Sequence, residues 1–116
     1  MNHMETFNDC LREIRDRYNS DENLRKSLKQ FENTLAITCL KEDHTFTIKI
    51  TKDQEIQVED NAIIEDAPIL IHLAEEKILM DLLNKELGPL IAYSSGKIKI
   101  EKGDKRLLVK LRKLLF

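Results

Sequence analysis

The sequence predicts an α+β protein in which helices precede and follow a run of β-strands. Apolar residues recur every three or four positions near the N-terminus and again after residue 75, which is the period of an amphipathic helix. From Leu35 to Ala74 they follow the shorter period of strands instead. At 116 residues the chain has the length of one domain, so a single domain over residues 1–116 is expected.

Residues 1–33 are predicted to form two helices. The first has one apolar face, as amphipathic helices do. Its members are Met4, Phe7, Leu11, Ile14 and Tyr18. Ser20 precedes two acidic residues, so Ser20 is the expected N-cap of the second helix. The apolar residues of that second helix are Leu24, Leu28 and Phe31.

Residues 35–74 are predicted to contain four strands. Two alternating stretches flank the polar sequence KEDH at residues 41–44, which indicates a hairpin. A second turn at Lys52 and Asp53 leads to a third strand through Val58, so the first three strands form an antiparallel meander. Pro68 opens the fourth strand, ILIHLA. Its nearly continuous apolar character predicts a central strand covered on both faces.

The remaining elements are helices over 76–95, a last strand over 97–101 and a terminal helix over 104–115. All three glycines of the chain, Gly88, Gly96 and Gly103, lie at boundaries between these elements. Gly88 is expected to end one helix in the left-handed conformation, and Pro89 to start the next. The apolar residues from 78 to 87 sweep an arc of roughly 200°, which is wider than one packed helix face requires.

Composition is that of an ordinary soluble protein, with 41% apolar and 34% charged residues and a net charge of −2. Residues 96–116 contain eight Lys or Arg and two acidic residues, so this tail carries +6 and the rest of the chain −8. No apolar run approaches the ~20 residues of a membrane-spanning helix, and the N-terminus lacks the pattern of a secretory signal, so a cytoplasmic location is expected by default. In that reducing compartment Cys10 and Cys39 are expected to be buried free thiols.

Little in the sequence indicates catalysis. His44 is interpreted as part of a solvated turn, and His72 as a strand residue. The cysteines and histidines match no zinc spacing, and Ser94 and Ser95 lack the arrangement of a catalytic nucleophile. We therefore expect no enzymatic activity, no metal and no cofactor. Nucleic-acid binding is not expected either, because no aromatic residues are interleaved among the lysines of the tail.

Residues 68–116 resemble the sterol carrier protein 2 family, and the preceding helix and meander follow the family's order of elements, so the resemblance covers nearly the whole chain. The resemblance is carried by LLNKELGPLIAYSSGKIKI, followed by KGD and then RLLVKLRKLL. Leu87, Pro89, Ala92, Gly96, Lys97 and Gly103 occupy positions where the family pattern has similar residues. This sequence departs from the pattern at Lys85, near which the family usually has Gly, and by one additional residue in the turn EKGD.

The resemblance implies one mostly antiparallel sheet of about five strands, with helices packed on one face and an apolar tunnel between. It implies non-enzymatic binding or carriage of a lipid such as a fatty acyl chain, an isoprenoid or a sterol-like molecule. The residues expected to line the tunnel are Leu79, Leu82, Leu83, Leu87, Leu90, Ile91, Ile98, Ile100, Leu107, Leu108, Leu111 and Leu115. Their pattern alone favours close packing against one another as core, and only the resemblance makes a cavity an equal alternative.

Two further interpretations remain open at this level. The same fold could serve as a structural or interaction module, which forms a homodimer or acts as an accessory subunit of a lipid- or quinone-pathway enzyme. The basic face of the terminal helix could contact an anionic membrane surface transiently, or it could simply be solvated.

Overall fold

The computed structural model describes residues 5–28, 34–51, 55–61, 67–104 and 106–115. Two helices, α1 (Phe7–Ser20) and α2 (Glu22–Ser27), precede the strands β1 (Thr34–Cys39), β2 (His44–Ile50), β3 (Ile56–Asp60) and β4 (Ile69–Leu73). Then follow α3 (Glu76–Leu83), α4 (Pro89–Ser94), β5 (Ile98–Lys102), α5 (Leu107–Lys110) and α6 (Arg112–Leu115). The predicted order of helices and strands is confirmed in these ranges.

The strands form one mixed sheet in the order β3-β2-β1-β4-β5. Strands β1, β2 and β3 are the predicted antiparallel meander, and β4 pairs with β5 in the antiparallel sense as well. Only β1 and β4 run parallel, with Ile37 opposite Ile71. The predicted, mostly antiparallel sheet of five strands is therefore confirmed. The parallel pair arises because the chain crosses from the edge strand β3 back to the other side of β1.

One face of the sheet carries the apolar side chains that meet the helices. The inward residues of β4 are Ile69, Ile71 and Leu73, and all three are buried. The other face of β4 is only half-buried at Leu70 and His72. The strand is interior to the sheet, as expected, but the expectation that it is covered on both faces is wrong for the described residues. Its alternation is the pattern of a sheet with helices on one side.

The N-terminal helices begin at well-defined caps. Thr6 and Asp9 form a capping box, in which each side chain accepts a hydrogen bond from the other residue's backbone N–H. Helix α2 is capped by Asp21, whose carboxylate accepts from the N–H of Leu24 at 3.0 Å. The prediction of Ser20 as this cap is wrong by one residue, because Ser20 still belongs to α1 and its hydroxyl donates to the Asp16 carbonyl.

Helix α3 ends earlier than predicted, at Leu83, in a turn centred on Lys85. The N–H of Lys85 donates to the Leu82 carbonyl, and the N–H of Glu86 donates to the Asp81 carbonyl. These two bonds define a Schellman motif, in which the residue usually occupied by Gly is left-handed. Here that residue is Lys85, with φ of 64°. Gly88 has φ of −77° and is instead the N-cap of α4, so its predicted left-handed role is wrong.

The terminal helix is also interrupted. The predicted continuous helix over 104–115 is wrong, because the chain forms the two short helices α5 and α6 with a turn at Leu111. Leu111, Leu114 and Leu115 are fully buried. Helix α6 packs against α1 and α3, so it closes the helical side of the core.

Buried apolar side chains of the helices and strands form a single cluster. Leu90 and Ile91 of α4 and Val109 of α5 lie outside it and are exposed. Across the ranges that the structure describes, the helices are too short or too polar to cross a bilayer. Several predicted features lie outside the described residues. These are Met4 and Phe31 of the helical faces, the turn at Lys52 and Asp53, and the connection through residues 62–66.

Candidate functional site

An apolar cavity of about 340 Å³ lies between α4 and the terminal helices. This volume is at the lower end of the range of small-molecule pockets. Its lining comes from three places in the chain. Gly88 is the N-cap of α4, and Pro89, Leu90 and Ile91 belong to its first turn. Helices α5 and α6 contribute one residue each. Those two residues are Val109 and Arg112.

Three large apolar side chains of this lining project into solvent. Leu90 is 68% exposed, Ile91 66% and Val109 70%. We call these three side chains the apolar rim. The α4 segment places its small residue Ala92 inward, fully buried against the core, and this orientation turns Leu90 and Ile91 outward. The cavity therefore opens onto an apolar surface, and the charged residue Arg112 also lines it.

The residues that the resemblance assigned to a lipid tunnel are divided between core and cavity. Leu79, Leu82, Leu83, Ile98, Leu111 and Leu115 are buried members of the core cluster. Leu87 and Ile100 are partly buried against that cluster. Leu90 and Ile91 line the cavity instead. The side chains of Leu107 and Leu108 lie outside the part of the structure that is described.

Sequence reasoning did not include Pro89, Val109 or Arg112 in the lining. Val109 falls outside the leucine face of the terminal helix, so its position relative to that face would have marked it as exposed. Arg112 belongs to the basic face predicted for the terminal helix and is exposed, but its proximity to α4 depends on the break at Leu111. That break is not visible in the apolar pattern.

Cationic groups continue from the cavity towards the end of α3. Burial, together with the nearby charges of Arg17 and Arg112, lowers the pKa of Lys85. Arg17 donates one hydrogen bond to the Leu83 carbonyl at 2.7 Å and another to Glu13 at 3.1 Å. Arg17 and Lys85 also line a second cavity of about 280 Å³. Asp21 lies in the lining of this second cavity as well, whereas Arg112 is the charged residue in the lining of the apolar cavity.

At the start of β2, His44 lies between two carboxylates. Its Nδ1 is 2.6 Å from Glu76 Oε1, and its Nε2 contacts Asp60. The ring of Phe7 lies against the imidazole, with 4.1 Å between ring centroids. The interpretation of His44 as a solvated turn residue is wrong, because it is largely buried and joins β2, β3 and α3. Its partners are 16 and 32 residues away, which is why local spacing did not reveal them.

Burial raises the pKa of the Cys10 and Cys39 thiols to about 12, and the negative charge of Glu76 adds to this. Both cysteines are free and fully buried, as predicted. Within the described ranges, no three His, Cys, Asp or Glu side chains are grouped as a metal site. The apolar cavity, which has the cation Arg112 in its lining, is suited to an apolar ligand.

Solved structures with the same architecture belong to sterol carrier proteins and related domains. A crystal structure of sterol carrier protein 2 superposes with a TM-score of 0.68 and 18% identity, covering 95% of this chain and 91% of that one. A UbiJ-SCP2 ubiquinone synthesis protein superposes with a TM-score of 0.65 and 13% identity, covering 97% and 93%. These likenesses establish an α+β sterol-carrier fold.

A double mutant of the sec-alkylsulfatase PisA1, an enzyme from Pseudomonas sp., contains a similar domain. The TM-score is 0.77 at 14% identity over 98% of this chain, but this chain spans only 17% of that protein. No curated protein sequence matches significantly. The model of the SCP-2 sterol transfer family matches residues 11–116. The chain therefore belongs to the SCP-2 sterol transfer family, and the resemblance seen in the sequence is confirmed.

Proposed function

We propose that this protein binds or carries an apolar lipid without transforming it, with part of its acyl or isoprenoid chain held in the cavity between α4 and the terminal helices. The observation that carries the proposal is the open apolar cavity lined by Leu90, Ile91 and Val109. A flexible hydrocarbon chain suits such aliphatic walls, because burying its methylenes contributes about 0.8 kcal/mol each. Family membership and fold support the same class of function.

The twelve residues predicted from the resemblance remain the proposed lining. Of these twelve, Leu90 and Ile91 line the cavity in the described structure, while the leucines of α3 are buried in the core. A full-length lipid chain therefore requires α4 or α5 to move, so that Leu87 and Leu79 become part of the wall. Such widening is compatible with the short lengths of α4 and α5.

The test is mass spectrometry of the purified protein, under native conditions and after organic extraction. We expect a stoichiometric apolar ligand, or uptake of fatty acids, acyl thioesters or isoprenoids when they are added. A spectrum of free protein that stays unchanged after all three additions would contradict the proposal. Leu82→Phe, which adds bulk at a buried position of α3, should reduce uptake if the chain reaches α3.

The alternative is an interaction module that dimerises or serves as an accessory subunit in lipid or quinone synthesis. The observations that favour it are the exposed rim and the likeness to a UbiJ-SCP2 ubiquinone synthesis protein. Light scattering of the purified protein distinguishes the two, since a tight dimer that lipids do not affect supports the module. Loss of quinone after deletion of the gene would support the accessory role.

The proposal includes a cytoplasmic location and the absence of catalysis. Two buried free thiols are typical of proteins in reducing compartments. The proposed lipid would leave the cavity chemically unchanged, so the extracted ligand should have the composition of the ligand supplied. Recovery of a hydrolysed or otherwise altered product would contradict this part of the proposal.

A further inference from the structure

We infer that the apolar rim is a docking surface for an anionic membrane, which places the mouth of the cavity directly against the bilayer. The exchange of lipid through that mouth rests on the proposed function, whereas docking itself does not. The predicted membrane contact involved only the basic face of the terminal helix. The structure adds α4, whose exposed residues Leu90 and Ile91 line the same cavity as Val109 of α5.

The first argument is the exposure of the rim. Its three side chains are among the most exposed large apolar groups of the described chain, and they are contiguous around one cavity. Isolated exposed apolar residues are ordinary on protein surfaces, but contiguous ones flanked by charge mark interaction sites. At a membrane surface, apolar side chains reach the boundary between headgroups and acyl chains while cations remain among the headgroups.

The second argument is the charge of the segment that carries the rim. Residues 87–116 contain eight cationic residues and two acidic ones, Glu101 and Asp104, so this segment carries +6. The eight are Lys97, Lys99, Lys102, Lys105, Arg106, Lys110, Arg112 and Lys113. Since the whole chain carries −2, the remaining residues carry −8. An anionic surface would attract this segment and repel the rest, so it would orient the protein with the cavity towards the membrane.

Charge also favours a membrane over a second copy of this chain. In a symmetric dimer built on the rim, Arg112 and its neighbours would face the same cations of the partner across a small apolar patch. Arg106 would add less to this repulsion, because its guanidinium pairs with Asp104 at 2.7 Å within the same chain. Arg112, by contrast, lines the cavity itself and is exposed there.

The experiment is flotation of the purified full chain with two kinds of vesicle, phosphatidylcholine alone and phosphatidylcholine with about a third phosphatidylglycerol. We expect binding to the anionic vesicles that weakens as salt is raised, because screening shortens the range of the attraction. Ile91→Asp should weaken that binding at least tenfold. The matched control is Leu40→Asp, at an exposed leucine that does not line the cavity, and it should bind as the unaltered protein does.

A second pair of variants tests the charge. Lys110→Gln removes an exposed cation next to Val109 and should weaken binding to anionic vesicles roughly fivefold, the value expected for one lysine near a charged surface. Lys26→Gln removes an exposed cation on α2 and should have no effect. If Ile91→Asp fails to fold by circular dichroism, Val109→Asp replaces it, since Val109 is 70% exposed.

Absence of binding to anionic vesicles, or equal losses in Ile91→Asp and Leu40→Asp, would overturn the inference. A dimer that dissociates in Ile91→Asp, in the absence of vesicle binding, would assign the rim to a second copy and also overturn it. Native mass spectrometry in vesicle-free solution separates this test from that of the proposed function. Vesicle binding by a protein that never retains a lipid would support docking and contradict lipid carriage. A retained lipid in a protein that does not bind vesicles would support carriage and contradict docking.

Discussion

At the scale of single residues, Lys85 occupies a backbone position that Gly normally takes. Its φ of 64° and the two hydrogen bonds to Leu82 and Asp81 complete the Schellman motif that ends α3. A side chain with a β-carbon is strained in this conformation by roughly 1 kcal/mol. The turn nevertheless forms, because the short loop from α3 to α4 has to reverse direction before Gly88.

The substitution Lys85→Gly should therefore stabilise the protein by about 1 kcal/mol, less any cost of the greater freedom of Gly in the unfolded chain. The matched control is Lys85→Ala, which removes the same side chain but keeps the β-carbon, and should not bring this gain. Chemical denaturation measures both variants. Equal stabilities for Lys85→Gly and Lys85→Ala would show that the left-handed turn stores no strain.

The thiols of Cys10 and Cys39 should be nearly inert in the folded protein. With a pKa of about 12, only about one thiol in ten thousand is a thiolate at pH 8, and the thiolate is the reactive form. Labelling with a chromogenic disulfide reagent should be at least a hundredfold slower in native protein than in guanidinium. Rapid, stoichiometric labelling of the native protein would contradict the buried positions of both cysteines.

At the scale of elements, His44 connects three parts of the fold at one end of the sheet. Glu76 approaches it from α3, Asp60 from β3 and the Phe7 ring from α1, while Glu42 accepts the backbone N–H of Glu76 at 3.0 Å. Burial opposes the charged imidazole, but the hydrogen bonds that the ring donates to the two carboxylates outweigh this and raise the pKa of His44. The protonated ring thus binds β2 to β3 and to α3.

This contact predicts a pH dependence of stability. Because the folded pKa of His44 is raised, its contribution is complete below the unfolded value of about 6.5 and is lost as the pH rises through the folded pKa. Thermal unfolding of the unaltered protein should show this loss on the alkaline side of 6.5. His44→Gln should abolish it, and the control His72→Gln, at a histidine 3.4 Å from Glu101, should leave it in place. An identical pH profile in His44→Gln would refute the assignment.

At the scale of the whole molecule, α6 is part of the core. Leu111, Leu114 and Leu115 are each fully buried, and α6 packs against α1 and α3. Burial of three leucines contributes about 1.5 to 3 kcal/mol each. The sum is comparable to the entire stability of a small domain, about 5 to 15 kcal/mol. Helix α6 is therefore expected to stay part of the fold, while Leu90 and Ile91 of α4 and Val109 of α5 are exposed on its surface.

A chain that ends at Asp104 should lose most of its unfolding free energy and be largely unfolded at room temperature. The control Val109→Ala, at a site that is 70% exposed, should change stability by less than about 0.5 kcal/mol. Circular dichroism and urea denaturation measure both. A truncated chain of nearly unchanged stability would mean that the terminal helices form a movable lid.

The sequence by itself determined the elements and their order. Periodicity is a local property, so the alternation around Phe46 and Ile48 and the helical spacing of Leu11, Ile14 and Tyr18 predicted β2 and α1 without knowledge of the fold. Motifs in the C-terminal half also identified the family. Tail charge and the buried cysteines followed from composition and context in the same way.

Only the tertiary structure decided which apolar residues are core and which are surface. Leu82 and Leu90 are alike in the sequence, yet one is buried and the other 68% exposed, because the Lys85 turn redirects the chain between them. The partners of His44 and the cavity edge at Arg112 likewise depend on segments far apart in sequence. Such contacts are set by topology, since a residue's own neighbours in the chain carry no information about what the fold brings beside it.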